Sequence, residues 1–164
     1  MKRKCRACEK GELVSSRERV HYLASGLPNV WLDGIEVRRC PACKEHVEVI
    51  PSIERLHRAI GLVVVKKPAR LTGAEVRFLR KLLGYSGADF ARHIGVDPTV
   101  VSKWEHDQQP IGEQSDRLLR MMVAHGRPLD EYPLDRLAEI DPKSHEPAYV
   151  DLRVSGREWL PTAA

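Results

Sequence analysis

Two periods of hydrophobicity divide the chain. Over Glu12–Ala24 and Val30–Cys40 the sequence has strand character. Val30 and Leu32 alternate with polar neighbours before a break at Gly34, and Ile35 and Val37 follow it. A period of two buries one face of a strand, and a glycine interrupting it predicts a bulge. Turn residues over Ser25–Asn29 join the two runs, so the pattern predicts one long hairpin. From Ser52 the spacing changes to that of a helix, with Ile53, Leu56, Ile60 and Val64 on one stripe. Ser52 can cap this helix, and Pro68 sets its boundary, giving Ser52–Val65.

Beyond a linker at Pro68–Leu71 the helical signals come close together. Thr72 caps a segment with Val76, Leu79, Leu82 and Leu83 inward, stopped at Gly84. Ser86 caps a short second helix with Phe90, Ala91 and Ile94 inward, and Gly95 supplies a tight turn. Asp97 followed by Pro98 is a strong start for a third. A fourth spans Gly112–Gly126, with Leu118, Leu119, Met122 and Val123 expected inward. Further on, Pro133, Leu134, Leu137 and Ile140 suggest a short helix, and Val150, Leu152 and Val154 alternate as an edge strand would.

Composition limits how these elements can be stabilised. With 164 residues, 42% hydrophobic and 5% aromatic, the chain can bury one modest core or two small ones, and small units usually need a staple. Lysine and arginine outnumber acids in 1–67, nearly balance them in 68–126 and are outnumbered in 127–164. The start shows no secretory pattern, and the longest apolar run, Ile60–Val65, is too short to span a bilayer. A cytoplasmic protein with reduced thiols and no membrane partner is expected.

That expectation gives the four cysteines their meaning. Cys5, Cys8, Cys40 and Cys43 form C-x2-C-x31-C-x2-C. Each pair can point two sulfurs at one ion, and the hairpin brings the pairs together, so one structural Zn2+ per chain is expected, with a disulfide or redox role as the minor alternative. Four thiolates around Zn2+ leave a net charge of −2, which Lys2, Arg3, Lys4, Arg6, Lys10, Arg39 and Lys44 would offset. His46 and His57 stand beside a complete cysteine set and are not needed as ligands. A closed site has no position for water, and no Asp/Glu/His cluster suggests an open one, so no catalytic residues are assigned.

Within about 71–126, Ala91, Gly95, Val96, Val101, Ser102, Trp104 and Glu105 resemble the Xre/Cro-type helix-turn-helix family. Gly87 stands where that family usually carries glutamine. The resemblance implies that the helix beginning at Pro98 enters the major groove by its N-terminal end. Val101 and Trp104 would face the core. Thr99, Val100 and Lys103 would then contact bases, while Ser86, Arg92, Ser102, Lys66, Lys67 and Arg70 would contact phosphates.

Both cysteine pairs, the Leu32–Glu45 approach, the following helix and the segment from Gly95 to Glu105 together resemble the MqsA-type, or YgiT-type zinc-finger, antitoxin family. The fold implied is α+β. A small N-terminal zinc-bound β-hairpin unit with its linking helix (1–67) precedes an all-α five-helix Xre-type domain (68–126) and a short C-terminal extension (127–164). The function implied is that of a type II antitoxin, a homodimer that represses its own operon at a palindromic double-stranded DNA operator. Its toxin would be a small RelE-like ribonuclease bound through the zinc unit. Thr99 and Lys103 replace the Asn and Arg familiar on that recognition helix, which implies a different operator. Strand parity separates Tyr22 and Trp31 from Val30 and Leu32, making those two aromatics the expected toxin contacts. A stand-alone zinc-containing regulator without a toxin is the alternative.

Overall fold

A computed structural model describes residues 4–125, 141 and 143–162. It divides into two compact units: Met1–Tyr22, Trp31–Leu56 and Asp151–Ala164 in the first, Leu23–Val30 and His57–Val150 in the second. The fold is α+β: N-terminal strands carry the cysteines and five α-helices follow among the described residues, the linking helix being the first of the five. No described helix is long and apolar enough to cross a membrane.

The first unit is built on a five-stranded sheet. Strands β1 (Val14–His21) and β2 (Val30–Arg39) form the expected hairpin, from Val14 opposite Arg39 to His21 opposite Trp31. Register shifts between Glu18 and Val20, where Asp33 and Gly34 together oppose Arg19, and Gly34 lies at φ +71. That left-handed residue is why the alternation breaks there. Strand β3 (His46–Val49) adds to β2 from Glu36 to Arg39; its four residues carry too short a pattern to read in the sequence.

Strand β4 (Val150–Ser155) is interior rather than at an edge, because the order is β1-β2-β4-β5. Gly156, at φ +63, turns the chain so that β5 (Glu158–Pro161) takes the outer place. Pro161 removes a donor from that outer strand, a common protection against further pairing. Val20, Leu32, Ile35, Val37, Leu152 and Trp159 are buried. The Trp159 indole N–H donates to the Pro51 carbonyl at 3.1 Å, so burial leaves it satisfied.

The helices are α1 (Ile53–Lys66), α2 (Gly73–Leu82), α3 (Gly87–Ile94), α4 (Pro98–Glu105) and α5 (Glu113–His125). Leu56, Ile60 and Val64 of α1 are buried, whereas Ile53, at its first position, is exposed. In the second unit α2 packs on α4 and α5, and α3 packs on α4. Val76, Leu79, Phe90, Ala91, Val101, Trp104, Ile111 and Leu119 form its core. Thr72 caps α2 in a reciprocal capping box with Glu75. A β-carbon on Gly61 would overlap the Leu82 side chain, so this glycine lets α1 approach α2 closely.

Helix α5 is rotated from the expected face. Leu118 is 42% exposed, while Asp116, Leu119 and Arg120 point inward. The cause is a buried polar clasp. Arg120 donates to Asp116 at 2.5 Å and to the carbonyls of Val65, Lys67 and Ala69 at 2.6–2.9 Å. Asp116 also accepts the Leu71 backbone N–H at 2.7 Å. Every strong donor there finds an acceptor, the condition under which buried charge is tolerated. The helix expected over Pro133–Ile140 lies outside the described residues.

Candidate metal centre and helix-turn-helix surface

Each Cys-x-x-Cys pair closes the same small loop. Cys5 N–H donates to the Gly11 carbonyl and Glu9 N–H to the Cys5 carbonyl, both at 2.9 Å. Likewise Cys40 N–H donates to Glu45 at 2.8 Å, and Lys44 N–H to Cys40 at 2.9 Å. The residue after each second cysteine is left-handed, Glu9 at φ +57 and Lys44 at φ +65. These matched turns aim four sulfurs at one point. All four Sγ atoms lie within 4.8 Å of one another, with Cys5–Cys43 and Cys8–Cys40 both at 3.6 Å. A tetrahedral ion with sulfur at about 2.3 Å requires sulfurs about 3.8 Å apart, so the cluster fits one such ion.

Local packing and acidity support that fit. A β-carbon on Gly11 would stand 2.6 Å from Cys40 Sγ, so only glycine leaves the sulfur its place. Backbone hydrogen bonds from Lys10 and Gly11 pull the Cys8 thiol down to about 6. The Glu45 backbone favours a thiolate at Cys43, but desolvation and hydrogen bonding with Cys40, Cys8 and Cys5 hold its thiol up at about 12. The Cys8 and Cys43 thiols are thus shifted in opposite directions, and a bound dication would favour the thiolate at both. Among the described residues the cluster contains cysteines alone. Arg39 does not serve it: its guanidinium grips Glu18 at 2.6 Å across the β1–β2 pair. Lys2 and Arg3 lie outside the described residues.

In the second unit α3 and α4 meet through Gly95, at φ +72, whose N–H closes onto Ala91. Asp97 then caps α4, with Pro98 in its first turn. Helix α4 buries Val101 and Trp104, half-buries Val100 and exposes Thr99, Ser102 and Lys103. Its last residue, Glu105, accepts from both Arg77 and Arg80 of α2. Gly73 N–H donates to Asp107 at 2.7 Å, and a β-carbon on Gly73 would overlap the Trp104 carbonyl. These arginines are not among the residues the sequence pattern singles out; their signal is a cation, Arg80, four residues after Val76 on the buried stripe.

The remaining cations differ in availability. Lys67, expected at phosphates, is a correction: its side chain is 7% exposed, with its ammonium 2.5 Å from Glu75 and 2.8 Å from the Glu146 carbonyl. Burial lowers its pKa, with Glu75 opposing that shift. Arg70 is mostly buried and lies 3.6 Å from Glu113. Arg92 is exposed and pairs with Asp89 at 2.7 Å. Ser86 caps α3, accepting from Asp89 N–H at 3.0 Å and donating to its carboxylate at 2.6 Å. Ser102 is exposed and Lys66 half-buried.

The two aromatics expected together are separated by burial. Tyr22 is 6% exposed, and burial pushes its phenol pKa up. It lies just past the end of β1, where strand parity no longer holds, and so is a core residue. Trp31 is half-buried. His21 stacks on it at 4.5 Å and 11°, and the Arg19 guanidinium sits 5.4 Å from its ring centroid.

Residues 76–131 match the helix-turn-helix family HTH_3. No curated protein matches the chain. Behind its four-cysteine cluster, the chain thus carries an Xre-type helix-turn-helix domain, a DNA-binding regulator module, over 76–131.

Proposed function

We propose that this protein is a sequence-selective, zinc-stapled DNA-binding repressor that acts as the antitoxin of a type II toxin–antitoxin pair. The observation that carries the DNA-binding part is the α3–Gly95–α4 arrangement, which buries Val101 and Trp104 and leaves Thr99, Ser102 and Lys103 exposed on one helix. A helix presented in this way reads base edges with its N-terminal half. Thr99, Val100 and Lys103 form the base-reading set; Ser86, Arg92, Ser102 and Lys66 are the phosphate set. The buried Lys67 leaves that set, and Arg70 belongs to it only with Glu113 displaced. Zn2+ is the metal that suits four thiolates at tetrahedral spacing, and it acts as a staple for the first unit. A homodimer on a palindromic operator follows from the usual two-fold pairing of such domains.

The toxin-neutralising part rests on the combination of a cysteine-cluster unit with this domain, and on Trp31 as the aromatic left half-open on the sheet. A small RelE-like ribonuclease bound through 1–67 is the partner this reading names. Co-purification of an untagged neighbour-encoded protein with the full chain, followed by calorimetry with Trp31→Ala, tests it. The expected result is a complex that the substitution weakens while metal content is unchanged. A neighbour that does not bind leaves a stand-alone regulator instead. For DNA, selection from a random duplex library should enrich an inverted repeat, and Lys103→Ala should relax one position in each half.

A further inference from the structure

The cap of α4 fixes the hydrogen-bonding polarity of its first exposed side chain. Asp97 accepts two hydrogen bonds from one residue: the Thr99 backbone N–H at 2.8 Å and the Thr99 hydroxyl at 2.6 Å, both on Oδ1. The short hydroxyl contact is a charge-assisted bond to an ionised carboxylate. Hydrogen bonding from Thr99, hydroxyl first and backbone second, also holds the Asp97 pKa below its ordinary value. The hydroxyl proton is therefore committed inside the cap. What Thr99 presents outward is an oxygen lone pair and a methyl group.

We propose that Thr99 is a specificity-determining residue that reads its base as an acceptor and a methyl group, and so rejects guanine. This rests on the reading of α4 as the groove-entering helix. In the major groove adenine and cytosine offer amino donors at N6 and N4, thymine offers a methyl, and guanine offers only the acceptors N7 and O6. An oxygen without a free proton meets guanine as acceptor against acceptor. A threonine whose hydroxyl is free could turn its proton toward guanine; the Asp97 cap removes that option. Asp97 thus acts as a positioning residue, choosing which half of the threonine hydroxyl is available.

The test uses the full-length, metal-loaded protein and duplex libraries, comparing wild type with Thr99→Val, Thr99→Ser, Asp97→Asn and Lys103→Ala. Wild type should disfavour guanine at one position per half-site. Thr99→Val keeps methyl contact but loses the acceptor, so preference for adenine or cytosine there should fall about three- to tenfold while thymine is retained. Thr99→Ser should do the reverse. Asp97→Asn keeps a good helix cap but a weaker, neutral acceptor, and should admit guanine at that position alone. If the Thr99-sensitive position favours guanine in wild type, the assigned polarity is wrong. If Lys103→Ala alters one position and Thr99→Val alters none, Thr99 is not a reader although DNA recognition stands. Enrichment of no sequence by wild type overturns both readings together.

Discussion

The Arg80 guanidinium holds both carboxylate oxygens of Glu105, Nε to Oε1 at 2.5 Å and the terminal nitrogen to Oε2 at 3.1 Å. Arg80 also donates to the Tyr85 carbonyl at 2.6 Å, so one side chain joins α2, the α2–α3 turn and the last residue of α4. Arg77 reaches the same carboxylate from a position 40% exposed. Removing one member of a buried pair leaves the other charged and unsolvated, at a cost of about 3–5 kcal/mol. Arg80→Met leaves Glu105 paired with Arg77, so chemical denaturation should show a loss at the lower end of that range or below it. Arg77→Ala, whose partner keeps Arg80 and whose own charge is solvated, should cost about 1 kcal/mol or less.

Lys66 and Lys67 are neighbours in unlike surroundings: Lys66 is half-buried, and the Lys67 side chain is buried against Glu75. Lys67 is enclosed by Glu75 and the Glu146 carbonyl. Lys67→Met should destabilise the second unit by about 3 kcal/mol, the order expected for breaking a buried pair. It should leave the slope of DNA affinity against salt unchanged. Lys66→Ala should reduce that slope by about one unit. Titrations at several salt concentrations, with thermal melts of both variants, separate the two.

Metal loading should depend on Gly11 as well as on the cysteines. Substituting Co2+ gives a spectroscopic view of sulfur coordination independent of DNA binding. Wild type should show one tetrahedral tetrathiolate centre per chain, and Cys40→Ser should lose both that signature and the fold of the first unit. Gly11→Ala places a carbon against Cys40 Sγ and should weaken metal affinity about tenfold or more.

Acid should open the β1–β2 pair at a defined place. Hydrogen bonding from Arg39, then from Ser16, lowers the Glu18 pKa to about 2. A carboxylate with a depressed folded-state pKa adds stability above its unfolded pKa and loses it as pH falls toward the folded value. The Glu18 contribution should therefore be complete at neutral pH and vanish between the ordinary glutamate range and about pH 2. Glu18→Gln should flatten the acid limb of the stability profile across that window; an unchanged limb would show that the pair contributes nothing.

What the sequence disclosed follows from the range of each interaction. The cysteine spacing, the Thr72, Ser86 and Asp97 caps, and the Gly34 and Gly95 breaks are local, so a few adjacent residues encode them. Lys66 and Lys67 look alike in sequence, and the fold tells them apart by bringing Glu75 and the Glu146 carbonyl to Lys67. The sequence misleads about the inward face of α5 because Leu118 is apolar and Arg120 is charged. Backbone carbonyls from 65–69, distant in the chain, make the arginine the better core residue there. Alternation groups Tyr22 with Trp31, but it fails one residue past β1. β4 reads as an edge until Gly156 and Trp159 are seen to fold a further strand outside it.

If the exposed face of α4 reads double-stranded DNA, Lys103 should discriminate among bases. Competition binding of full-length, metal-loaded protein to its selected duplex, with sequence variants at each position, separates base reading from charge for wild type and Lys103→Ala at fixed salt. Lys103→Ala should cost about 1–3 kcal/mol on the selected duplex and remove discrimination at one position per half-site. Equal weakening on every sequence, with discrimination intact at all positions, would contradict it and place the reading surface elsewhere.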